Sequence, residues 1–468
     1  MKKNLKRYGF QLLIINYSLL ILAGCSINKQ ISKSAQQLVI KDSSLLAAHV
    51  GISIYEPAAN KYWYNYQGDK YFVPASNTKL PTCYAAMKYL GDSLVGLRYR
   101  NQNDSITEIL GTGDPTLLNS EFATQPVLKF LSNITKHIVV NFLNWKDQKY
   151  GSGWTWSDYL EDYMRQRSPL PIFGNVIKFS LTSEFAIDYY FGTPDLDGEF
   201  IPSYFNKKEI FKKPFSFNLV DDKVFNEKVS KGESIYYKII RSFDNNILYT
   251  IPSFNKASKQ NIPLDTNPEE IMTILSDTLH KSVSSSINQS NLTYKLIYSQ
   301  PTDSLLKITM HRSDNFFAEQ ALLMVSNERL GVMNDEKIID TLLKTDLKDL
   351  PQKPRWVDGS GLSRYNLFTP QNFVTILNKI KKEFGIERIK VILPTGNKGT
   401  LTNYYKADSS YIFAKTGTLS GVVALSGYLY TKKNKLLIFS VLVNNHQASA
   451  TAVRKAVEKF IEGIRNKY

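Results

Sequence analysis

Apolar residues follow helix-like and strand-like patterns towards both ends of the chain. Downstream of residue 76 they recur at the one-three-four-seven spacing of a core-facing helix, at Leu80, Cys83, Tyr84 and Met87. Another helical face closes the chain, with apolar residues at 453, 457, 460, 461 and 464. Strand-like runs occupy residues 49–55, 61–66, 410–415, 422–430 and 435–443, and the first two predict a hairpin. The pattern therefore predicts a C-terminal helix packed on a sheet.

Residues 120–290 have a different character. This stretch is rich in aromatic residues and lysine, and Asn and Pro separate short runs with few long helical patterns. We interpret it as part of an inserted β-rich region, with a linker at 281–290 that leads back to the first domain.

Composition and charge narrow the class of protein. With 43% hydrophobic and 12% aromatic residues, the 468-residue chain is expected to fold into two or three domains. Its formal net charge of +16 is scattered, without a nucleic-acid-binding motif or a long Lys/Arg run. An anionic surface, such as a membrane or a cell-wall polymer, is therefore a better-fitting partner than nucleic acid.

Residues 1–24 have the features of a secretory signal peptide. Four basic residues precede a mainly apolar stretch, which ends in Leu-Ala-Gly-Cys at Cys25. This resembles a lipoprotein cleavage box, which implies acylation of Cys25. Residues 25–45 would then form a tether that leads into a short helix and holds a periplasmic body to a membrane. Residue 26 is serine, whereas an aspartate at this position would signal retention in the inner membrane. Ser26 therefore favours the outer membrane. The alternative is an uncleaved anchor. With Cys25 lipidated, Cys83 has no disulfide partner and is expected to lie in the core.

A serine and a lysine lie three residues apart at the start of the first predicted helix. On a helix these residues share a face, so Lys79 can reach Ser76 and, when unprotonated, take its proton as the hydroxyl oxygen attacks a carbonyl. The same spacing occurs at 253–256 and 304–307. Taken alone, this spacing therefore favours a capping serine and a solvated lysine over a catalytic pair.

Two later motifs change this interpretation. Ser313-Asp-Asn315 adds a second serine with an amide partner, and Lys415-Thr-Gly-Thr418 adds a basic strand that carries hydroxyls. In this order, Ser-x-x-Lys, Ser-x-Asn and Lys-Thr-Gly are the signatures of penicillin-binding proteins and serine β-lactamases.

Further motifs extend the match over nearly the whole chain. They are Gly-Thr-Gly-Asp-Pro-Thr-Leu at 111–117, Gly-x-x-Trp-x-Trp-x-Asp at 151–158, Ser-Asp-Asn-x-x-Ala-Glu at 313–319, Asp-Gly-Ser-Gly-Leu-Ser-Arg at 358–364, Gly-Thr-Leu at 399–401 and Lys-Thr-Gly-Thr-Leu-Ser-Gly at 415–421. With them the chain resembles the D-Ala-D-Ala carboxypeptidase/endopeptidase family, the class C or penicillin-binding-protein-4 type. The 234 positions between Lys79 and Ser313 suit that family's large insertion, for which a typical β-lactamase has no room.

The resemblance implies an α/β (α+β) fold, a serine β-lactamase/penicillin-binding-protein transpeptidase-like domain with an antiparallel sheet flanked by helices. We expect this catalytic domain to combine residues 46–105 and 291–468. Residues 106–290 would form one or two inserted domains. The aromatic residues at 151–158 suit sugar binding, but packing inside the insertion is the preferred interpretation.

The resemblance also implies roles for the first two motifs. Ser76 would be the acylated nucleophile and Lys79 its general base. Ser313 would pass a proton towards the leaving amine, and Asn315 would bond the acyl-side amide of the substrate and position Lys79. Two lysines that converge on one serine repel each other, which favours a neutral Lys79.

The third motif is implied to bind the substrate. Lys415 would supply positive potential, and Thr416, Gly417 and Thr418 would bind the terminal D-Ala, whose carboxylate would meet the two hydroxyls. The backbone N–H groups of Ser76 and Thr418 would form the oxyanion hole.

The implied activity is that of a serine-type D-Ala-D-Ala carboxypeptidase or DD-endopeptidase. Its partners would be peptidoglycan stem peptides, β-lactams as inhibitors and a membrane reached through Cys25. No cofactor is implied, and the five histidines have no metal-ligand spacing. Two alternatives remain: a β-lactamase, for which the sequence identifies no deacylating base, and a non-catalytic wall-binding lipoprotein that uses this fold as a scaffold.

Overall fold

The structure, a computed structural model, describes residues 27–43, 45–181, 187–190, 236–243, 248–253, 259–286 and 293–468. The predicted signal peptide at 1–24, Cys25 and a large part of the insertion lie outside these residues. Among the residues described, no helix combines the length and the hydropathy needed to cross a membrane.

Strands and helices alternate along the described chain. The strands are β1 (His49–Glu56), β2 (Lys61–Tyr66), β3 (Ser93–Asn101), β4 (Ile106–Gly111), β5 (His137–Asn141), β6 (Val176–Leu181), β7 (Ile187–Tyr190), β8 (Tyr236–Arg241), β9 (Leu248–Ser253), β10 (Lys259–Pro263), β11 (Val283–Ser286), β12 (Lys295–Pro301), β13 (Ile412–Leu419), β14 (Val422–Tyr430) and β15 (Leu436–Asn444). The helices are α1 (27–40), α2 (Lys79–Tyr89), α3 (Pro126–Ser132), α4 (Pro268–Leu279), α5 (Thr302–Arg312), α6 (Asn315–Leu330), α7 (Asp335–Lys344), α8 (Pro370–Phe384), α9 (Ile386–Ile392) and α10 (Ala450–Lys467).

The main sheet is antiparallel and has the order β13-β14-β15-β1-β2. Successive residues of β15 alternate between two cores: Ile438 and Leu442 face α2, α5, α6 and α8, whereas Phe439 and Val441 face α1 and α10. Burial on both faces explains why β15 is a nearly continuous apolar run rather than an alternating one. The predicted antiparallel sheet flanked by helices is confirmed, as is the hairpin of β1 and β2.

The first described residues form a packed helix, where the sequence predicted a tether at 25–45 that leads into a short helix. In α1, Ile31, Ala35 and Val39 are spaced four apart and are buried in the core shared with α10. The hydroxyl of Tyr468 donates a hydrogen bond to Gln30 Oε1 at 3.0 Å. The helix thus occupies residues 27–40, and the described part of the predicted tether belongs to the folded body.

A second sheet, of order β11-β5-β4-β3-β12, crosses the domain boundaries that the sequence predicted. The strands β3 and β12 were assigned to the catalytic domain, yet they pair with each other and β3 pairs with β4 of the insertion. The chain thus leaves and re-enters the catalytic domain through neighbouring antiparallel strands, and the sheet begins before residue 106.

The described part of the insertion contains helices as well as strands. The strands β4 and β5 are parallel and α3 connects them, whereas α4 precedes β11, which is parallel to β5. Residues 283–286, which the sequence predicted to lie in a linker, therefore complete the edge of this sheet. Their serine-rich composition hid the strand.

We expect Ile31→Ala to lower the free energy of unfolding by about 2–5 kcal/mol, because Ile31 is 1% exposed and its truncation leaves a cavity beneath α1. Denaturant titration of the chain that begins at residue 26 would measure this change. The exposed Lys33 on the same helix provides the control, since Lys33→Ala should stay within about 0.5 kcal/mol of the parent. Equal stability of both variants would mean that α1 does not pack as described.

Candidate active site

The proposed nucleophile lies in a tight turn just before α2. Ser76 belongs to the 3-10 turn Ala75–Thr78, so the α-helix begins at Lys79, three residues later than the nucleophile. Ala75 has a φ of 47°, a left-handed conformation that is costly for alanine, and its carbonyl accepts a hydrogen bond from the Thr78 hydroxyl at 2.9 Å. The turn keeps Ser76 and Lys79 on one side: Lys79 Nζ donates to Ser76 Oγ at 3.0 Å.

Lys79 is completely buried and its ammonium group has three oxygen partners. Besides Ser76 Oγ, Nζ donates to Asn315 Oδ1 at 2.6 Å and to the backbone carbonyl of Ser360 at 2.7 Å. Asn315 opens α6, whereas Ser360 belongs to the loop that precedes α8. Three separate segments of the chain therefore meet at one nitrogen atom.

Burial also changes the acidity of this lysine. Removal from water lowers the pKa of Lys79 to about 8, although the negative charges of Asp358, Glu319 and Asp314 act in the opposite direction. A substantial fraction of Lys79 is therefore neutral near pH 8. A neutral amine at 3.0 Å from a serine hydroxyl has the geometry and the acidity of a general base.

A second serine and lysine form a pair on the other side of the site. Lys415 Nζ donates to Ser313 Oγ at 2.8 Å and to the backbone carbonyl of Thr416 at 2.8 Å. Ser313 lies at the end of α5 with a φ of 59°, where the chain turns sharply into α6. Lys415 is completely buried, and burial, followed by the nearby charges of Lys79 and Arg454, holds its pKa well below the usual range.

The edge strand β13 approaches the turn of Ser76 so closely that glycine is required. A Cβ atom on Gly417 would lie 2.7 Å from the carbonyl oxygen of Pro74 and 3.1 Å from the backbone nitrogen of Ser76. The flanking Thr416 is 8% exposed, whereas Thr418 is exposed. The glycine thus brings β13 beside the turn of the nucleophile.

Arg454 is a cation of the site that sequence reasoning missed. Its Nη2 donates to Thr418 Oγ1 at 2.5 Å. Arg454 lies on α10, and no motif surrounds it, so only the packing of α10 on the sheet reveals its position.

The loop that carries Ser360 is organised around one buried carboxylate, Asp358. Its oxygens accept hydrogen bonds from the backbone N–H groups of Gly361 (2.8 Å) and Ser363 (2.7 Å) and from the side chains of Asn366 (2.8 Å) and Trp154 (3.0 Å). A carboxylate with four donors fixes the loop and so directs the Ser360 carbonyl towards Lys79. The motif at 358–364 marked this segment as part of the family pattern. Its spacing did not reveal that Asp358 fixes the loop.

The insertion contributes directly to the site. Trp154 was expected to pack inside the insertion, but its Nε1 donates to Asp358 of the catalytic domain, and Trp156 is 76% exposed. The Asn315 side chain donates from Nδ2 to the backbone carbonyl of Tyr163 at 2.9 Å. A cavity of about 420 Å³ opens beside Ser313 and Asn315, with walls from both parts of the chain. These contacts join residues that are more than 150 positions apart, which is why spacing did not predict them.

Glu319 connects the insertion with the loop of Ser360. Its Oε1 accepts a hydrogen bond from the backbone N–H of Ser360 at 2.7 Å, and its Oε2 lies 3.5 Å from Nη1 of Arg167, a residue of the insertion. Burial, followed by the charge of Asp358, raises the pKa of Glu319 to about 8. The end of the motif at 313–319 thus supports the carbonyl that binds Lys79.

Fold and site together have the features of a penicillin-binding-type serine hydrolase. The family model of the D-Ala-D-Ala carboxypeptidase 3 (S13) family matches residues 32–188 and 266–464. A penicillin-sensitive carboxypeptidase A from Dictyostelium discoideum is 22% identical over 448 residues, which cover 83% of this chain and 81% of that protein. The chain belongs to the D-Ala-D-Ala carboxypeptidase 3 (S13) family, and it is a serine-type carboxypeptidase by family.

Solved structures have the same fold. Penicillin-binding protein 4 from Haemophilus influenzae superposes with a TM-score of 0.69 at 18% identity, and the match covers 93% of this chain and 99% of that one. The same protein in complex with a β-lactam superposes with a TM-score of 0.62 at 17% identity and the same coverage. The transpeptidase-like fold expected from the sequence is confirmed.

We expect Gly417→Ala to reduce the release of D-Ala from a D-Ala-D-Ala peptide by on the order of 100-fold, because the new methyl group would push β13 away from Ser76. Steady-state kinetics would measure the loss. Gly463→Ala is the matched control, since a Cβ there lies 4.0 Å from Ser34 Oγ, in ordinary contact. Full activity of Gly417→Ala would contradict the close approach of β13.

We expect Glu319→Gln to move the acidic limb of the pH–rate profile to lower pH. The rate should rise as pH rises through the pKa of Lys79, because the neutral amine is the base, and loss of the Glu319 charge disfavours the protonated amine. The side-chain oxygen of glutamine can still accept the hydrogen bond from the backbone N–H of Ser360. Glu328→Gln, on the same helix, should leave the limb in place, and an unchanged limb in Glu319→Gln would disprove the electrostatic coupling.

Proposed function

We propose that the protein cleaves peptidoglycan stem peptides through an acyl-enzyme on Ser76, as a D-Ala-D-Ala carboxypeptidase, a DD-endopeptidase or both. The observation that carries this proposal is the 3.0 Å contact between Lys79 Nζ and Ser76 Oγ inside a buried site where the pKa of Lys79 falls to about 8. An amine of that acidity accepts the seryl proton near neutral pH, which an ordinary solvated lysine does not.

In the acylation step, Ser76 Oγ attacks the carbonyl carbon of the penultimate D-Ala while Lys79 takes the hydroxyl proton. The negative charge of the tetrahedral intermediate develops on the carbonyl oxygen, where the N–H groups of Ser76 and Thr418 would stabilise it. The C–N bond then breaks as Ser313 gives its hydroxyl proton to the leaving amine, and the proton held by Lys79 passes to Ser313. Water then attacks the seryl ester, Lys79 takes a proton from that water, and this proton returns to Ser76 Oγ as the ester bond breaks and the shortened peptide leaves.

Recognition of the terminal carboxylate would fall to β13 and α10. Thr416, Thr418 and Arg454 offer donors, and Lys415 lies beside them. A carboxylate bound there would raise the pKa of Lys415 and so favour its charged form.

β-Lactams would acylate the same serine, because their strained amide mimics the scissile bond and their carboxylate fits the same donors. Two similar proteins support this part of the proposal: one is a penicillin-sensitive carboxypeptidase, and the other has been solved in complex with a β-lactam.

We further propose that the mature protein is a periplasmic lipoprotein, acylated on Cys25 and held at the outer membrane. The support for this location is the basic start, the apolar stretch and the Leu-Ala-Gly-Cys box of residues 1–25.

Incubation of the chain from Ser26 onward with penicillin should give a persistent adduct of one penicillin per chain, detected by intact mass. Ser76→Ala should abolish both the adduct and the release of D-Ala from a D-Ala-D-Ala peptide, while Ser304→Ala, from a motif of the same spacing on α5, should retain both. Rapid penicillin turnover without an adduct would instead indicate a β-lactamase. Inertness towards both compounds would support the scaffold alternative.

A further inference from the structure

The point where the chain enters the folded body is held in place by contacts at the start of α1. Asn28 Nδ2 donates to the backbone carbonyl of Trp63 at 3.1 Å, and Gln30 accepts from the hydroxyl of Tyr468. The rings of Trp63 and Tyr468 meet edge to face with centroids 5.3 Å apart. The residues that follow the proposed acylation site are thus fixed against the end of α10.

Exposed lysines surround this entry point. The turn between β14 and β15 lies against the end of α10, because the backbone N–H groups of Lys432 and Lys433 donate to the carbonyls of Arg465 and Tyr468. Lys435 Nζ lies 5.6 Å from the centroid of the Trp63 ring. We call this set the basic face: its members are Lys29, Lys432, Lys433, Lys435 and Lys467, all of them exposed.

Little negative charge offsets the basic face. Among the described residues, Glu56 pairs with Lys435 at 3.0 Å, and the carboxylate of the last residue, Tyr468, accepts a hydrogen bond from the backbone N–H of Lys433. Five ammonium groups thus face two carboxylates in direct contact. The tertiary structure brings these lysines together from three separate segments of the chain.

We propose that the basic face docks the body onto an anionic lipid surface. The distance argument rests on the proposed acylation of Cys25: only two residue steps separate Cys25 from residue 27, which span at most about 7 Å. This reach is close to the Debye length of about 8 Å at physiological ionic strength, so the start of α1 in an anchored chain stays within the field of an anionic membrane surface. Lysines grouped beside a lipid anchor add electrostatic attraction to anionic lipids.

Docking through this face would direct the catalytic cleft away from the lipid. Thr418 pairs with Val423 near one end of β14, whereas Lys432 follows the other end of that strand. Nine residue steps along an extended strand span about 30 Å. The cleft would therefore open towards the space that contains the cell-wall polymer.

Co-sedimentation of the unlipidated chain from Ser26 onward with vesicles tests the proposal without relying on acylation. The chain should bind vesicles that contain 30% phosphatidylglycerol in phosphatidylcholine at 50 mM NaCl, bind pure phosphatidylcholine weakly, and dissociate as salt increases. Lys432→Gln/Lys433→Gln/Lys467→Gln should weaken the partition coefficient by roughly 100-fold. Lys435 is left intact, since it also contacts Glu56 and Trp63.

A matched triple variant distinguishes an effect of the basic face from an effect of the total charge of the protein. Lys337→Gln/Lys348→Gln/Lys382→Gln removes three exposed charges from the helical layer on the opposite side of the main sheet, and it should bind almost as well as the parent. Equal losses in both variants would overturn the proposal, as would no binding to anionic vesicles. Binding to isolated cell-wall polymer but not to vesicles would also overturn it. Release of D-Ala from a soluble peptide should be unchanged in both variants, which separates this test from that of the proposed function.

Discussion

The burial of the Lys79 ammonium group is the constraint on which the active site depends. An amine removed from water must be paired with acceptors, and its partners here are Ser76, Asn315 and the carbonyl of Ser360. A displacement of any of these segments would leave a buried donor unsatisfied. The same burial lowers the pKa of Lys79 to about 8, so the interaction that holds the segments together also prepares the base.

The insertion is part of this arrangement rather than a separate appendage. Arg167 is buried and lies within salt-bridge distance of Asp147, Asp335 and Glu319, the last of which supports Ser360. Loss of one partner would leave a buried charge uncompensated, which costs far more than the loss of an exposed pair. The hydrogen bond from Trp154 to Asp358 adds to this network. Together these contacts attach the insertion to the loop that carries Ser360. The acidity of the base is thereby linked to residues that the substrate does not touch.

The two faces of the main sheet are covered by different helices. One layer of helices covers the face that carries Ser76, Ser313 and their supports, and α1 with α10 covers the other. Strand β13 lies at one edge of this sheet, where Gly417 allows it to approach Ser76. Arg454 on α10 reaches the same edge, so both layers contribute to one cleft.

The sequence by itself determined the features that depend on short spacing. The periodic apolar residues of α10, β14 and β15 identified those elements, because a helix or strand buries residues at a fixed interval. Ser76 and Lys79 could be paired for the same reason, and the ordered motifs indicated the family and pointed to Ser313, Asn315 and Lys415. Composition was less reliable: in the Lys- and Ser-rich stretch at 27–40 it favoured a tether ahead of a short helix, whereas the whole stretch is a helix that packs on α10.

Only the tertiary structure decided which distant groups meet. Lys79 and Ser360 are 281 positions apart, and no pattern along the chain states that the carbonyl of one faces the amine of the other. The support from Glu319, Asp358 and Arg167, the reach of Arg454, and the sheet that joins β3 to β12 arise in the same way. Each depends on how packed elements are placed in three dimensions, and local periodicity carries no information about that placement.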